Sequence, residues 1–265
     1  REVGNQYSEG MTLGSLGTLH SLQGRDEEAE SHYNLALKIH REVGNRNSEA
    51  FVLDRLSELY LNHGRYAEAL PGLLSALEIL DELGDVQRRQ YTRINIGQAY
   101  AQQGQYETAR ETFTEVRTDA SNMKDPLAES VSLANLGEVY AIQNQWSEAH
   151  RFYVEALETI QSSKNHRIEG IVQGRIGRAL HQLSEFDRAT EPFERGAKLL
   201  RKIRAPIFLL VLLCHWGELK LSCGDRAGAE TLFKEAEGLA SSVTLWPKSE
   251  GAKALKSLRD ALGGR

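Results

Sequence analysis

A chain of 265 residues, 40% hydrophobic and 26% charged with only five prolines, suits a folded and largely helical protein. Its formal net charge of −5 gives no long-range attraction for nucleic acid or an anionic membrane, so neither is expected as a partner. Arg1 to Gln6 lacks the apolar core of a signal peptide, and the longest apolar run, Ile207 to Cys214, falls far short of the roughly 18 residues a spanning helix needs.

The chain opens on Arg1-Glu2-Val3-Gly4-Asn5, and the same five residues return at Arg41 to Asn45. Residues 1–7 therefore read as the tail of an earlier repeat, and the chain as a fragment of a longer protein. A 40-residue step organises the rest of the chain. It links Gly17, Ser57, Gly97, Gly137, Gly177 and Gly217 in one small column, and Ala29, Ala69, Ala109, Ala149, Ala189 and Ala229 in another. Large residues recur as Tyr33, Leu73, Phe113, Tyr153, Phe193 and Phe233, and as Leu16, Leu56, Ile96, Leu136, Ile176 and Trp216. The neighbouring column, His32, Gly72, Thr112, Phe152, Pro192 and Leu232, keeps no character and so checks the register.

Within a copy these columns fall on two helices. Leu136, Gly137 and Tyr140 share one face at i, i+1 and i+4, while Ala149, Tyr153 and Ala156 share a second at i, i+4 and i+7. Small residues let the backbones approach, and the rings fill the space beside them. Six copies are expected, at 8–47, 48–87, 88–127, 128–167, 168–207 and 208–247. Each first helix stops near Gly24, Gly64, Gly104, Asn144, Ser184 or Gly224. The next helix opens on acidic residues, as in Asp26-Glu27-Glu28, which complement its positive end. Gly44 and Gly84 close the first two second helices; the column then reads Lys124, Lys164, Arg204 and Thr244, where looser or different ends are expected. Pro71 and Pro192 come early in second helices, where proline is better tolerated but can bend the axis. Residues 248–265 carry Ala252, Leu255, Leu258 and Leu262 on one side and are expected to form a capping helix.

The string Leu136-Gly137, Tyr140, Ala149, Tyr153 resembles the tetratricopeptide repeat, and the resemblance covers nearly the whole chain. The family's early Trp is replaced by Leu13, Leu53, Arg93, Leu133, Gln173 and Leu213, and its closing Pro by Arg41, Asp81, Ser121, Gln161, Arg201 and Ser241. Without that Pro nothing stops the second helix early, and six extra residues add roughly 9 Å at 1.5 Å per residue. The chain is thus similar to the long-repeat branch, that of kinesin light chains and many bacterial signalling proteins. The resemblance implies an all-α fold: a right-handed α-solenoid of six helix-turn-helix repeats with a C-terminal capping helix.

It also implies a binding face. In the family the first helices line the concave groove, and the position before the Leu-Gly pair points at bound peptide. Here that column is Ser15, Arg55, Asn95, Asn135, Arg175 and His215. One turn on lie Thr18, Glu58, Gln98, Glu138, Arg178 and Glu218, and Met11, Phe51, Tyr91, Val131, Ile171 and Val211 begin the face. By resemblance Asn95 and Asn135 hold a peptide backbone, since an amide donates and accepts at once. The expected partner-binding set is Arg55, Glu58, Asn95, Gln98, Asn135, Glu138, Arg175, Arg178 and His215, in a protein-interaction or scaffolding module for a protein or peptide partner. The bland alternative is a solvated polar face. Arg55, Arg175 and Arg178 can pair with acidic groups of a ligand or with Glu58, Glu138 and Glu218. The Lys-and-Asn set of chaperone-tail clamps is absent.

A second reading is a sensor array of a multidomain signalling protein, fused to a kinase, nucleotide-binding switch, protease or transcription activator. The array would then bind its own effector domain or a small ligand. No enzyme, catalytic residue, metal site or cofactor is expected. The eight histidines show no metal spacing, and the carboxylates are spread over the repeats. Gly170, Gly174 and Gly177 lie on a helix rather than after a strand, which argues against phosphate binding. Cys214 and Cys223 sit on one expected helix, roughly 13 Å apart along its axis, too far to bridge. Two unpaired cysteines fit a reducing, cytoplasmic compartment.

Overall fold

The computed structural model describes residues 3–243, 245–247 and 249–263, and the side chains of these other than at positions 3, 4, 22 and 162. Among them are thirteen α-helices and no strand: α1 (Val3–Leu22), α2 (Asp26–Glu42), α3 (Arg46–Asn62), α4 (Tyr66–Leu83), α5 (Val86–Gln102), α6 (Tyr106–Asn122), α7 (Pro126–Ile142), α8 (Trp146–Ile160), α9 (His166–Gln182), α10 (Phe186–Lys202), α11 (Pro206–Ser222), α12 (Arg226–Ala240) and α13 (Glu250–Gly263). The all-α class expected from the sequence is the class observed. No described helix is long and apolar enough to cross a membrane.

The turns are more regular than their residues. Every twentieth position from 24 to 224 takes a left-handed backbone conformation: six are glycines, and five are Lys124, Asn144, Lys164, Ser184 and Arg204, with φ between 52° and 62°. The expectation of looser ends at Lys124 and Arg204 is therefore corrected. Lys124 donates its N–H to Ser121 O at 3.1 Å and Asp125 to Ala120 O at 2.9 Å, the same pair of bonds that Gly44 and Asn45 make to Arg41 O and His40 O. Lys164 keeps the φ but follows a 3-10 turn at Gln161–Ser163. Thr244 lies outside the described residues.

The first helices α3, α5, α7 and α9 are capped by a column that follows the turn. Asn45 accepts from Ser48 N, Asp85 from Arg88 N, Asp125 from Leu127 N and Ala128 N, and Asn165 from Ile168 N, satisfying amides that have no helical partner. Of the first-turn positions in second helices, Asp26, Glu27 and Glu28 supply charge instead. Arg1 and Glu2 lie outside the described residues, and Val3 to Asn5 run straight into α1, whereas Val43 to Asn45 form a turn.

The chain forms two compact units, Arg1–Thr112 and Phe113–Arg265. In the first, α1 packs on α2 and α3 on α4, with α2 also against α3 and α4 against α5. In the second the hairpins are α7 with α8, α9 with α10 and α11 with α12, joined through α8 on α9 and α10 on α11. The Ala column is 0% exposed at all six positions. A Cβ on Gly17 would lie 2.7 Å from the Tyr33 ring, one on Gly137 2.5 Å from Tyr153, and one on Gly177 2.8 Å from Phe193. Where the column reads Ser57, the facing residue is Gly72, whose added Cβ would lie 2.5 Å from Ser57 Oγ. Gly217 breaks the pattern, since it meets Leu258 of α13 at 2.6 Å.

The helix α13 packs on α11 and α12 and buries Gly251, Ala254, Leu255 and Leu258, with Leu258 at 0% exposure. Ala254 takes the place expected for Ala252. Arg259 bonds Glu237, and Ser257 donates to Glu218 at 2.6 Å.

Candidate functional site

On unit one, α1, α3 and α5 present a face that begins with Met11, Phe51 and Tyr91, exposed at 45%, 45% and 37%. Large apolar residues are thus exposed at one register position on three consecutive first helices. Beside them Arg55 and Glu58 form an ion pair at 2.8 Å on one helix, and the Arg55 guanidinium lies 5.7 Å from the Phe51 ring centroid. Asn95 and Gln98 are half-buried on α5. Behind this face Thr92 donates to Asp54 at 2.9 Å, and burial pushes the Asp54 carboxyl above its usual range against that bond. Sequence columns gave no sign of this pair.

On unit two the same columns are knitted together. The Glu138 carboxylate of α7 accepts from the Tyr153 hydroxyl of α8 at 2.9 Å and from Arg178 Nη1 of α9 at 3.3 Å, with Arg175 Nε at 3.9 Å. Burial raises the Glu138 carboxyl, but Arg175, Arg178, Tyr153 and His215 outweigh it and hold the group below the usual carboxylate range. The Tyr153 hydroxyl is pushed well above its usual value, by burial first and by Glu138 second. Burial would lower Arg175, but Glu138, Tyr153 and Glu250 together more than offset it and hold the guanidinium above its usual value. His215 Nδ1 lies 3.2 Å from Glu218, which also accepts from Ser257. His181 Nε2 is 2.9 Å from Ser222 Oγ, and burial lowers its pKa.

Of the nine residues expected from the sequence, Arg55 and Glu58 sit together in unit one with Asn95 and Gln98 on a nearby first helix. Asn135, Glu138, Arg175, Arg178 and His215 share the face of α7, α9 and α11 in unit two. Asn135 is 6% exposed, and its Nδ2 is buried with no hydrogen-bond partner. The columns missed Tyr153, Trp146 and Ser257 as members of the face. Trp146 carries the Arg178 guanidinium 5.2 Å from its ring centroid. A Tyr at the aromatic position where Phe113 and Phe193 stand was the available signal for the hydroxyl.

Residues 74–259 match the family described as the MalT-like TPR region, and residues 8–82 match the tetratricopeptide repeat. No curated protein matches the sequence. Among solved structures, the aspartyl phosphate phosphatase F of Bacillus subtilis aligns with TM-score 0.75 and 18% identity, over 98% of this chain and 70% of its own. A Rap protein complexed with competence and sporulation factor aligns with TM-score 0.70 and 16% identity, over 97% and 76%. The nearly identical TPR-like repeats of a kinesin light chain sequence from Podosopora anserina align with TM-score 0.53 and 17% identity, over 72% and 94%. At these identities the likeness carries the fold alone.

Proposed function

Because this chain belongs to the tetratricopeptide-repeat family, we propose that it is a binding module whose first-helix faces hold a peptide or protein segment. The observation that carries the reading is the exposed row Met11, Phe51 and Tyr91, running beside hydrogen-bonding side chains at the next register positions. In unit one Arg55, Glu58, Asn95 and Gln98 would contact the partner; in unit two Asn135, Glu138, Arg175, Arg178 and His215 would. A relative of the same fold was solved with a competence and sporulation factor bound, which supports a ligand-holding role without naming a ligand for this chain.

The work of such a face is recognition. Apolar rows supply burial, side-chain amides meet a backbone, and fixed charges set register. The partner is read as a separate protein or peptide, and the other candidate is an effector domain of the same polypeptide. Affinity capture from the source lysate, with wild type beside Phe51→Glu and Asn135→Ala, tests this. One specific protein lost with either variant, while both variants melt like wild type, is the expected outcome. A partner retained by both would move binding off the first-helix faces, and no capture at all would favour the effector domain.

A further inference from the structure

The two units differ along the edge where each second helix turns into the next first helix. In unit one the cations of that edge are neutralised: Arg41 pairs with Glu49 at 2.8 Å, Arg46 with Glu49 and Glu82 at 2.9 Å, Arg88 with Asp85 at 2.6 Å and Arg89 with Asp81 at 3.2 Å. In unit two the left-handed residues of these turns are Lys124, Lys164 and Arg204, where unit one has Gly44 and Gly84. All three are exposed, as are Arg167 and Lys202 beside them. Among the described residues none of these five side chains has an ion-pair or hydrogen-bond partner. Asp125 and Glu169, close by in sequence, are engaged, the first in capping α7 and the second 3.7 Å from His166 Nδ1. Met123, Ile203 and Ile207 flank the turns, each at least 37% exposed.

The three turns form one line. They lead into α7, α9 and α11, first helices that run side by side in the same sense; α7 touches α9 and the 3-10 turn before Lys164, and α9 touches α11. Packed helices stand about 8–10 Å apart, so the cations recur at about that step. A side chain with a Cβ at φ 52° to 55° carries strain that glycine avoids, and such strain collects where a function keeps it. Unpaired charge, exposed apolar side chains and strained turns thus coincide. We propose that this edge of unit two is a docking surface for an acidic protein segment in extended conformation. A carboxylate at every third residue of the segment meets Lys124, Lys164 and Arg204, and apolar residues between them cover Met123, Ile203 and Ile207. An extended chain advances about 3.3 Å per residue, so three residues span one helix step. Charge complementarity identifies the occupant. The edge is cationic on a chain of net charge −5, and screening within about 8 Å lets a short segment feel the local cations while the whole chain repels a long polyanion or an anionic bilayer. The turns lie at the ends of the helices, so this site is separate from the first-helix faces and stands or falls without them.

The test is fluorescence anisotropy of a labelled, acetylated and amidated peptide of four Asp-Leu-Ala units titrated with the 265-residue chain, beside the same peptide with Asn for Asp. The Asp peptide should bind saturably, and the Asn peptide at least about tenfold more weakly. The combined variant Lys124→Gly, Lys164→Gly and Arg204→Gly removes the charges and keeps the turns. It should melt no lower than wild type and bind the Asp peptide at least about tenfold more weakly. Lys38→Gln, Lys234→Gln and Lys253→Gln together remove the same charge elsewhere and should leave the affinity within about twofold. Absence of binding by the Asp peptide, equal binding of both peptides, or an equal loss in the two combined variants overturns the proposal. So does binding of phosphatidylserine vesicles or of a single-stranded oligonucleotide that the glycine variant loses while the Asp peptide stays unbound, which would give the edge to a membrane or a nucleic acid.

Discussion

The Tyr153 ring occupies the space a Cβ on Gly137 would need, 2.5 Å from that position, and the Ala149 carbonyl oxygen stands 3.1 Å away on the other side. Neither neighbour is a free flexible end, because Tyr153 is 1% exposed and tied to Glu138. Gly137→Ala should therefore destabilise the protein by up to about 2 kcal/mol, the overpacking cost less the helix-propensity gain. Phe113→Ala, which empties a fully buried site, should cost about 3–5 kcal/mol. Urea midpoints at constant slope measure both.

Arg204 is exposed and holds φ 54°, a conformation that strains any residue with a Cβ. Arg204→Gly should raise stability by about 1 kcal/mol, relief of strain outweighing the added freedom of the unfolded chain. The converse change at the matching turn, Gly84→Ala at φ 65°, should lower it by a similar amount, about 1 kcal/mol.

His40 is 0% exposed, and both its ring nitrogens are buried without partners. Burial lowers its pKa, against Glu49, itself bonded by Arg41 and Arg46. With the folded value below the unfolded one, near 6.5, the histidine is neutral in both states at higher pH and costs nothing there. As pH falls below about 6.5 the unfolded chain takes up the proton first, and stability drops. The other copies carry Leu80, Ala120, Ile160, Leu200 and Ala240 at this position. His40→Leu should therefore lose less stability than wild type between about pH 8 and about pH 5.5, measured by urea melts. An equal loss in both proteins would assign the acid sensitivity elsewhere.

Leu258 buries its side chain completely on Gly217. Leu258→Ala should cost about 2–5 kcal/mol, and a matching rise in binding of a hydrophobic dye would follow exposure of the α11 surface. An unchanged melt would mean that α13 is not needed to cover the last hairpin.

The helical fold was legible because close packing is written residue by residue. A backbone crossing demands a small side chain, and Ala29 to Ala229 and the Gly17–Tyr33, Gly137–Tyr153 and Gly177–Phe193 pairs record it at constant spacing. What escaped was set by conformation shared among unlike residues. Lys124 and Arg204 turn as Gly44 does because two backbone bonds hold the turn, and composition does not show those bonds. Compensation was equally hidden: Ser57 with Gly72, or Gly217 with Leu258 in place of Phe233, makes sense only once the facing residue is known. For the candidate site, the columns named the polar face but not its internal bonds. Glu138 is held by Tyr153 and Arg178, bonds set by rotamers and by an aromatic position that the columns treat as core.

The most direct measurement is amide hydrogen exchange of the chain with and without a partner recovered by capture. Binding on the first-helix faces predicts added protection in α1, α3 and α5, in α7, α9 and α11, or in both sets, with the second helices unchanged. Protection confined to second helices such as α2, α4, α8 and α10 would contradict it and place recognition on the opposite side of the hairpins.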